Sequence, residues 1–264
     1  MEKGLNKPPT TNQQLTTILV TGAGGQLGKT IEELYANNNL GLDFKFVTKT
    51  ELDVTSEDKV VSFFKNIHFN YCINCAAYTN VEQAEKEPEI AYKVNAEGVK
   101  YLAEACKEKN VLLVHISTDY VFDGEKGEPY TVEDKPNPIN EYGKSKLLGE
   151  QYIQEILNQY FIIRTSWLYS KTYGKNFYRT IKALAEEKKE LTITTEETGC
   201  PTKTETLAKY ILDLIIQKST NYGIKHVSDG VAMTWYDFAN QILSENNLKN
   251  KANLVKGNKY VTFA

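Results

Sequence analysis

Thr17-Ile-Leu-Val-Thr-Gly22-Ala-Gly-Gly25-Gln-Leu-Gly28 is the stretch whose reading decides the fold. A short β-branched run ends in glycines, and helical spacing follows at once, with Leu27, Ile31 and Leu34 on one face. Gly22, Gly25 and Gly28 give the spacing G-x-x-G-x-x-G, with Gly24 as an extra. Glycines here permit a tight turn and let backbone N–H groups approach a pyrophosphate, while the helix N-terminus turns its positive dipole end to the anion. A glycine triplet alone is a weak signal. A strand before it and a helix after it make dinucleotide binding the reading.

The alternation continues outward from this loop. Strands are expected at Phe44–Thr48, Tyr71–Cys75, Val111–Ser117 and Tyr160–Arg164. Helices are expected from Ser56 to about Asn66, over Ile90–Lys109 with Val94, Leu102 and Ala105 inward, and over Asn140–Asn158. Val111–Ser117 is the most continuously apolar run, as suits the middle of a parallel sheet. This rhythm predicts an α/β fold: a Rossmann-type doubly wound parallel sheet with helices on both faces. Beyond residue 166 it loosens into helices near 175–188, 204–217 and 234–246 and short strands near 191–194 and 224–227. The expected organisation is a flexible leader at 1–16, a dinucleotide-binding domain at 17–166 and a smaller C-terminal substrate-binding lobe at 167–264 that partly shares the sheet.

Composition narrows the function classes. The chain has 264 residues, 41% hydrophobic and 25% charged, enough to fill a core. A net charge of −3 argues against nucleic-acid binding through clustered basic charge. No apolar run has the length of a membrane span. Met1–Thr17 is polar and Pro-containing and lacks the apolar centre of a secretion signal, so a cytoplasmic protein is expected. Cys72 and Cys75 form C-x-x-C, but they lie in a strand-like run and point to opposite faces. No second pair completes a zinc site, so packing is the expected role and no metal is assigned.

The second strand runs Phe46-Val-Thr48-Lys49, with no carboxylate at the place where an NAD site holds the ribose 2′-hydroxyl. Lys49 there suits a 2′-phosphate, which favours NADPH. Glu51 and Asp53 follow closely and leave NADH open.

Tyr142-Gly-Lys-Ser-Lys146 places a tyrosine and a lysine on one helix face. A free phenol titrates near 10, and an adjacent ammonium is expected to lower it. Tyr142 is therefore the candidate proton donor to a carbonyl that receives hydride. Lys146 is the candidate partner for Tyr142 and for cofactor ribose hydroxyls. Ser117-Thr118 ends the apolar strand, where open α/β sheets bind their ligands, and Thr118 could hydrogen-bond the substrate oxygen.

Together the glycine loop, Asn74-Cys-Ala-Ala77, Thr118 and Tyr142/Lys146 resemble an extended short-chain dehydrogenase/reductase. Further motifs sharpen the match: Cys75-Ala-Ala-Tyr-Thr79, Val81-Glu-Gln-Ala84, Val94-Asn-Ala96, Ser117-Thr-Asp-Tyr-Val-Phe-Asp-Gly124, Pro136-x-Pro138 and Arg164-Thr-Ser-Trp-Leu-Tyr169. They resemble the dTDP-4-dehydrorhamnose reductase family over residues 18 to about 262. The resemblance implies reduction of the C4 keto group of dTDP-4-dehydro-6-deoxy-L-mannose to dTDP-L-rhamnose, a nucleotide-sugar step that feeds polysaccharide synthesis. It implies that Gly22, Gly25, Gln26, Leu27 and Gly28 bind the pyrophosphate, and that Asp53 and Val54 flank the adenine. Ala76, Ala77 and Tyr78 would line the ribose and nicotinamide side. Thr118, Tyr142 and Lys146 would form the catalytic triad. Thr79, Thr118, Asp119, Trp167 and Asn176 would face the substrate. Some members of the family pair around a magnesium ion; no matching glutamates are identified here, so Mg2+ stays unassigned and a homodimer stays open.

Two departures stand out. Glu196-Glu-Thr-Gly-Cys-Pro-Thr202 carries Glu197 where the family has an amide, which puts a nucleotide contact there in doubt. The sequence given ends Val261-Thr-Phe-Ala264, where the family continues with an Arg-Pro segment and a helix; an arginine there suits a diphosphate, so substrate affinity should suffer if the chain stops here, and nothing follows if it continues. Rival readings are a sugar-nucleotide dehydratase, another sugar-nucleotide reductase or epimerase, and a non-catalytic NADP-binding subunit similar to the methionine adenosyltransferase regulatory subunit. Tyr120 stands where a dehydratase carries a glutamate base, and a phenol is a poor base at neutral pH. Retention of Thr118, Tyr142 and Lys146 favours an enzyme over a regulatory subunit.

Overall fold

The structure, a computed structural model, describes residues 15–37, 39–187 and 189–257. Residues 1–14 of the expected leader and the terminal Val261–Ala264 lie outside the described residues.

Apolar residues that alternate between two buried faces build the sheet. In β1 (Thr16–Thr21) Ile18 and Val20 face one side and Leu19 the other. After α1 (Gln26–Tyr35) come β2 (Leu42–Val47), α2 (Glu57–Asn66) and β3 (Tyr71–Asn74). Helices α3 (Val81–Lys86) and α4 (Pro88–Tyr92) lead through a π turn at Lys93–Glu97 into α5 (Gly98–Lys109). Then follow β4 (Leu112–Thr118), a 3-10 turn at Asp119–Val121, α6 (Glu141–Ile156), β5 (Tyr160–Thr165) and β6 (Leu168–Tyr169). The remainder comprises α7 (Phe177–Glu187), β7 (Glu190–Thr194), β8 (Thr198–Gly199), β9 (Thr202–Lys203), α8 (Thr204–Ile216), β10 (Gly223–Val227), β11 (Met233–Thr234), α9 (Trp235–Glu245) and β12 (Asn253–Gly257).

Six parallel strands form the main sheet in the order β10-β5-β4-β3-β1-β2. On one face Leu19, Cys72, Leu113 and Ile162 pack with Val60 and Phe64 of α2 and Val99 and Leu102 of α5. On the other, Ile18, Ile73, Val114 and Phe161 pack with Leu27 and Ile31 of α1 and Leu207, Ile211 and Leu212 of α8. Burial on both sides explains the near-continuous apolar runs of these strands. Sequence order reverses between β1 and β3, and crevices at such switch points, outside the carboxyl ends of the strands, are where doubly wound sheets take ligands. A third core joins Tyr178 and Ile181 of α7 to Phe238, Ile242 and Leu243 of α9, with β7 and β12 paired beside it.

The sequence reading needs adjusting in four places. The helix expected over Ile90–Lys109 starts at Pro88 and is interrupted by the π turn, which inserts the buried Asn95 and Ala96. Helix α3, unforeseen, is capped by the Asn80 side chain, which accepts from the Gln83 N–H at 3.1 Å. The strand near 224–227 joins the main sheet beside β5, and α8 lies against α1. Thr16, placed in the leader, already pairs with Leu42.

Candidate active site

The carboxyl ends of β1, β3, β4 and β5 open into a cleft of about 520 Å³. That is the size of a site for one bound ligand of cofactor or drug scale. One wall is the turn into α1. Gly22 has φ +64°, and a Cβ there would lie 2.5 Å from the Ala76 nitrogen. A Cβ on Gly28 would lie 2.6 Å from the Ala23 α-carbon. Only glycine fits either position. Gly25 caps that helix without a side-chain hydrogen bond, and Gly25, Gln26, Leu27 and Gly28 line the cleft. Free N–H groups at a helix N-terminus suit an anion, so the loop fits a dinucleotide pyrophosphate. Thr165 also lines the cleft, and its buried hydroxyl has no hydrogen-bond partner among the described residues.

The opposite wall comes from β4 and α6. Asn140 caps α6, accepting from the Gly143 N–H at 2.7 Å. Helix and 3-10 turn meet so closely that a Cβ on Gly143 would come within 2.1 Å of the Tyr120 carbonyl oxygen. This contact brings Tyr142 beside Thr118 in the cleft wall. Thr118 also donates to Asp119 Oδ1 at 3.1 Å and accepts from the Tyr120 N–H at 3.2 Å. The Tyr120 ring meets the Tyr142 ring edge-on, centroids 5.6 Å apart.

Electrostatics at this wall differ from the sequence expectation. Burial pushes the Tyr142 phenol up to about 12; the neighbouring Thr118 hydroxyl opposes the shift and the Asp119 charge adds to it. The expected lowering by Lys146 is not what governs Tyr142 here, because the Lys146 amine is held elsewhere. Its Nζ donates to the Ile116 carbonyl at 2.6 Å and lies 3.2 Å from His115 Nε2. Burial brings the Lys146 ammonium down to about 8, with Glu150 and Cys75 opposing. Burial also raises the Asp119 carboxyl. A neutral phenol beside a hydroxyl is a proton donor in its ready form.

The C-terminal lobe closes the cleft. Trp167, at φ +43°, stacks on Trp235 with centroids 3.3 Å apart and planes 5° from parallel. Trp235 donates its Nε1–H to Glu197 Oε2 at 3.0 Å, so the residue that departs from the family pattern braces this pair. Asn176 donates to Gln26 Oε1 at 3.0 Å and to the Ser170 carbonyl at 2.8 Å, and it accepts from the Arg179 N–H at 3.0 Å. Its amide is thus engaged in bracing the lobe.

The cleft brings together Gly25, Gln26, Leu27, Gly28, Ala77, Thr79, Thr118, Asp119, Tyr142, Lys146, Trp167 and Asn176 of the expected site residues. Its walls do not include Gly22, Lys49, Asp53, Val54, Ala76 or Tyr78. Gly22 and Ala76 lie against each other behind the loop. Asp53 accepts from the Thr55 N–H and hydroxyl at 3.1 and 2.8 Å, and Val54 is buried. Tyr78 is pinned through its backbone to Asn95. At the end of β2, beside the exposed Lys49, the Glu51 carboxylate folds back and accepts from the Thr48 N–H and hydroxyl at 2.8 and 2.9 Å. A carboxylate therefore does stand at this strand end, supplied from three residues downstream.

Sequence reasoning missed Trp235, Phe177, Phe238 and Cys75 in the cleft. Cys72 and Cys75 do face opposite sides, but Cys75 reaches the cleft wall. The chain has only two tryptophans, and that scarcity was the one available hint that Trp235 belongs with Trp167. Among the described residues no cluster of three or more His, Cys, Asp or Glu is placed to hold a metal ion, and no helix is long and apolar enough to cross a membrane.

The family described as RmlD substrate binding domain matches residues 16–264. A dTDP-4-dehydrorhamnose reductase of Aggregatibacter actinomycetemcomitans is 40% identical over 239 residues, covering 88% of this chain and 79% of that one. The spore coat polysaccharide biosynthesis protein SpsK of Bacillus subtilis is 39% identical over 235 residues, covering 89% and 81%. Among solved structures, the dTDP-4-dehydrorhamnose reductase of Bacillus anthracis in complex with NADP superposes with a TM-score of 0.87 at 41% identity, covering 92% and 84%. A UDP-glucose 4-epimerase of Thermus thermophilus, 20% identical with a TM-score of 0.77, shares the fold alone. Fold, cleft and sequence agree: the chain belongs to the dTDP-4-dehydrorhamnose reductase family of oxidoreductases.

Proposed function

We propose that the chain uses NADPH to reduce the C4 keto group of dTDP-4-dehydro-6-deoxy-L-mannose, giving dTDP-L-rhamnose. The observation that carries this reading is the meeting of Thr118 and Tyr142 at the carboxyl end of β4, in the same cleft as the N-terminus of α1. Bound NADPH supplies the hydride. The α1 N-terminus and its glycine turn hold the cofactor's pyrophosphate. Tyr142 donates its phenolic proton to the C4 oxygen, and Thr118 hydrogen-bonds the same oxygen and orients it. Lys146, which lines the same cleft, holds the cofactor's ribose hydroxyls. Trp167 and Trp235 form an aromatic wall for the sugar nucleotide, and the lobe that carries them is the substrate-binding part of the chain.

NADPH is favoured for two reasons. Lys49 stands exposed beside the end of β2, and the Bacillus anthracis relative is solved with NADP. Glu51 is already bonded to Thr48, which leaves its carboxylate less available to a ribose hydroxyl.

The test is nicotinamide oxidation with enzymatically generated dTDP-4-dehydrorhamnose, run with NADPH and NADH side by side, with the product identified by chromatography. Formation of dTDP-L-rhamnose with faster use of NADPH supports the reading. Cofactor binding without turnover contradicts it and favours a regulatory role.

A further inference from the structure

Thr165 ends β5 on the cleft wall, and only 8% of the residue is exposed. Its hydroxyl is the one buried side-chain polar group without a hydrogen-bond partner among the described residues. Such a group costs stability unless something satisfies it. The strand neighbours do not. Thr165 is in register with Thr118 of β4 on one side and Val227 of β10 on the other. Val227 offers only hydrocarbon. The Thr118 hydroxyl already donates to Asp119 Oδ1 and accepts from the Tyr120 N–H. The backbone is also held on either side of Thr165. The Arg164 guanidinium is buried on the Glu150 carboxylate at 2.6 Å, and Ser166 Oγ accepts from the Cys200 N–H at 3.2 Å. The open side of the Thr165 hydroxyl is the cleft.

We propose that Thr165 is a specificity-determining residue: its hydroxyl pairs with the sugar hydroxyl at C3, next to the reacting carbonyl, while Thr118 holds the carbonyl oxygen. The choice of ligand rests on the function proposed above; the unpaired hydroxyl does not. Registered residues on adjacent strands stand about 4.8 Å apart and point to the same side. Oxygens on neighbouring ring carbons are closer together than that, so two hydroxyls at this spacing can reach both, one each. Strand order favours the sugar over the cofactor. The glycine loop, which takes the pyrophosphate in that reading, follows β1, and β3 and β4 separate β1 from β5. Thr165 therefore lies on the far side of Thr118 from that loop, two residues before Trp167 of the aromatic wall. A hydroxyl both donates and accepts, so it can match a sugar hydroxyl in either orientation. A site built to pair with a hydroxyl discriminates against an analogue that lacks it, because the protein group then stays unpaired in the complex.

The test begins with thermal unfolding of the full chain without ligands. Thr165→Val keeps the shape and removes the hydroxyl. A hydroxyl buried without a partner destabilises the free protein, so the variant should melt about 2–4 °C above the wild type. An equal or lower midpoint would show that the hydroxyl is already satisfied and would overturn the proposal. Kinetics supply the second readout, with dTDP-4-dehydro-6-deoxy-L-mannose and its 3-deoxy analogue compared at saturating NADPH. The wild type should prefer the 3-hydroxy substrate in kcat/KM. Thr165→Val should shrink that preference about three- to tenfold, by raising KM for the 3-hydroxy substrate alone. Thr165→Ser keeps the hydroxyl and should keep the preference. NADPH affinity, measured by fluorescence titration, should be the same in wild type and both variants. A preference that survives Thr165→Val would overturn the proposal, and so would a loss of NADPH affinity, which would put the hydroxyl on the cofactor. A wild-type chain that turns over no 4-keto nucleotide sugar would refute the proposed function, while a higher midpoint of Thr165→Val would still support a hydroxyl held for a ligand.

Discussion

Gln26 and Asn176 share a hydrogen bond of 3.0 Å across 150 residues of sequence, and it ties the glycine loop to the C-terminal lobe. Gln26 also donates to the Leu168 carbonyl at 3.0 Å and accepts from the Ser170 N–H at 3.1 Å. One side chain at the first turn of α1 thus fixes the lobe that closes the cleft. Gln26→Ala leaves these partners unpaired and should cost about 1–3 kcal/mol in thermal or urea unfolding. Asn176→Ala should cost a similar amount, and the double variant less than the sum of the two. Strict additivity would show that the contact carries no coupling.

The stacked Trp167–Trp235 pair should give an exciton couplet in far-ultraviolet circular dichroism. Trp235→Ala removes the couplet and uncovers one face of Trp167. Aromatic stacking is worth about 0.5–1.5 kcal/mol beyond burial, so KM for the nucleotide sugar should rise roughly three- to tenfold, with cofactor affinity unchanged. An unchanged KM would remove the pair from the substrate site.

Asp123 anchors the segment that follows the 3-10 turn. Tyr130 donates to its Oδ1 at 2.6 Å and Asn137 to its Oδ2 at 2.9 Å. These hydrogen bonds, with the Glu125 N–H, hold its carboxyl at about 2, below its ordinary 3.8. A lowered acid stabilises the fold above its unfolded value, and that contribution is lost as the pH falls through the folded value. Unfolding midpoints should therefore drop between pH 3.8 and 2, and Asp123→Asn should flatten part of that drop. An identical acid profile in the variant would contradict this assignment.

Local features of the fold were legible in the sequence. The β1 turn and α1 are read from contiguous residues, because glycine conformation and helical periodicity are local properties. The central place of Val111–Ser117 followed from its apolar continuity, and β4 does lie between β3 and β5. Tyr142 and Lys146 share a helix face by simple spacing, and both line the cleft. What escaped depends on distant pairing. Nothing within residues 204–227 shows that α8 lies on α1 and that β10 pairs with β5. The π turn at Lys93–Glu97 keeps the same apolar pattern as an uninterrupted helix. Lys146 was expected to act on Tyr142, but the buried His115 and the Ile116 carbonyl of β4 take its amine, and no spacing rule within α6 reports such an encounter between helix and strand.

The central claim is that Tyr142 delivers the proton to the substrate carbonyl. The most direct measurement compares turnover of the wild-type chain and Tyr142→Phe with NADPH and dTDP-4-dehydrorhamnose, with cofactor affinity measured in parallel by fluorescence titration. General acid catalysis of this kind contributes about 10²–10⁴ in rate, so kcat should fall by that factor while NADPH affinity stays close to wild type. A variant that turns over at nearly the wild-type rate would contradict the account.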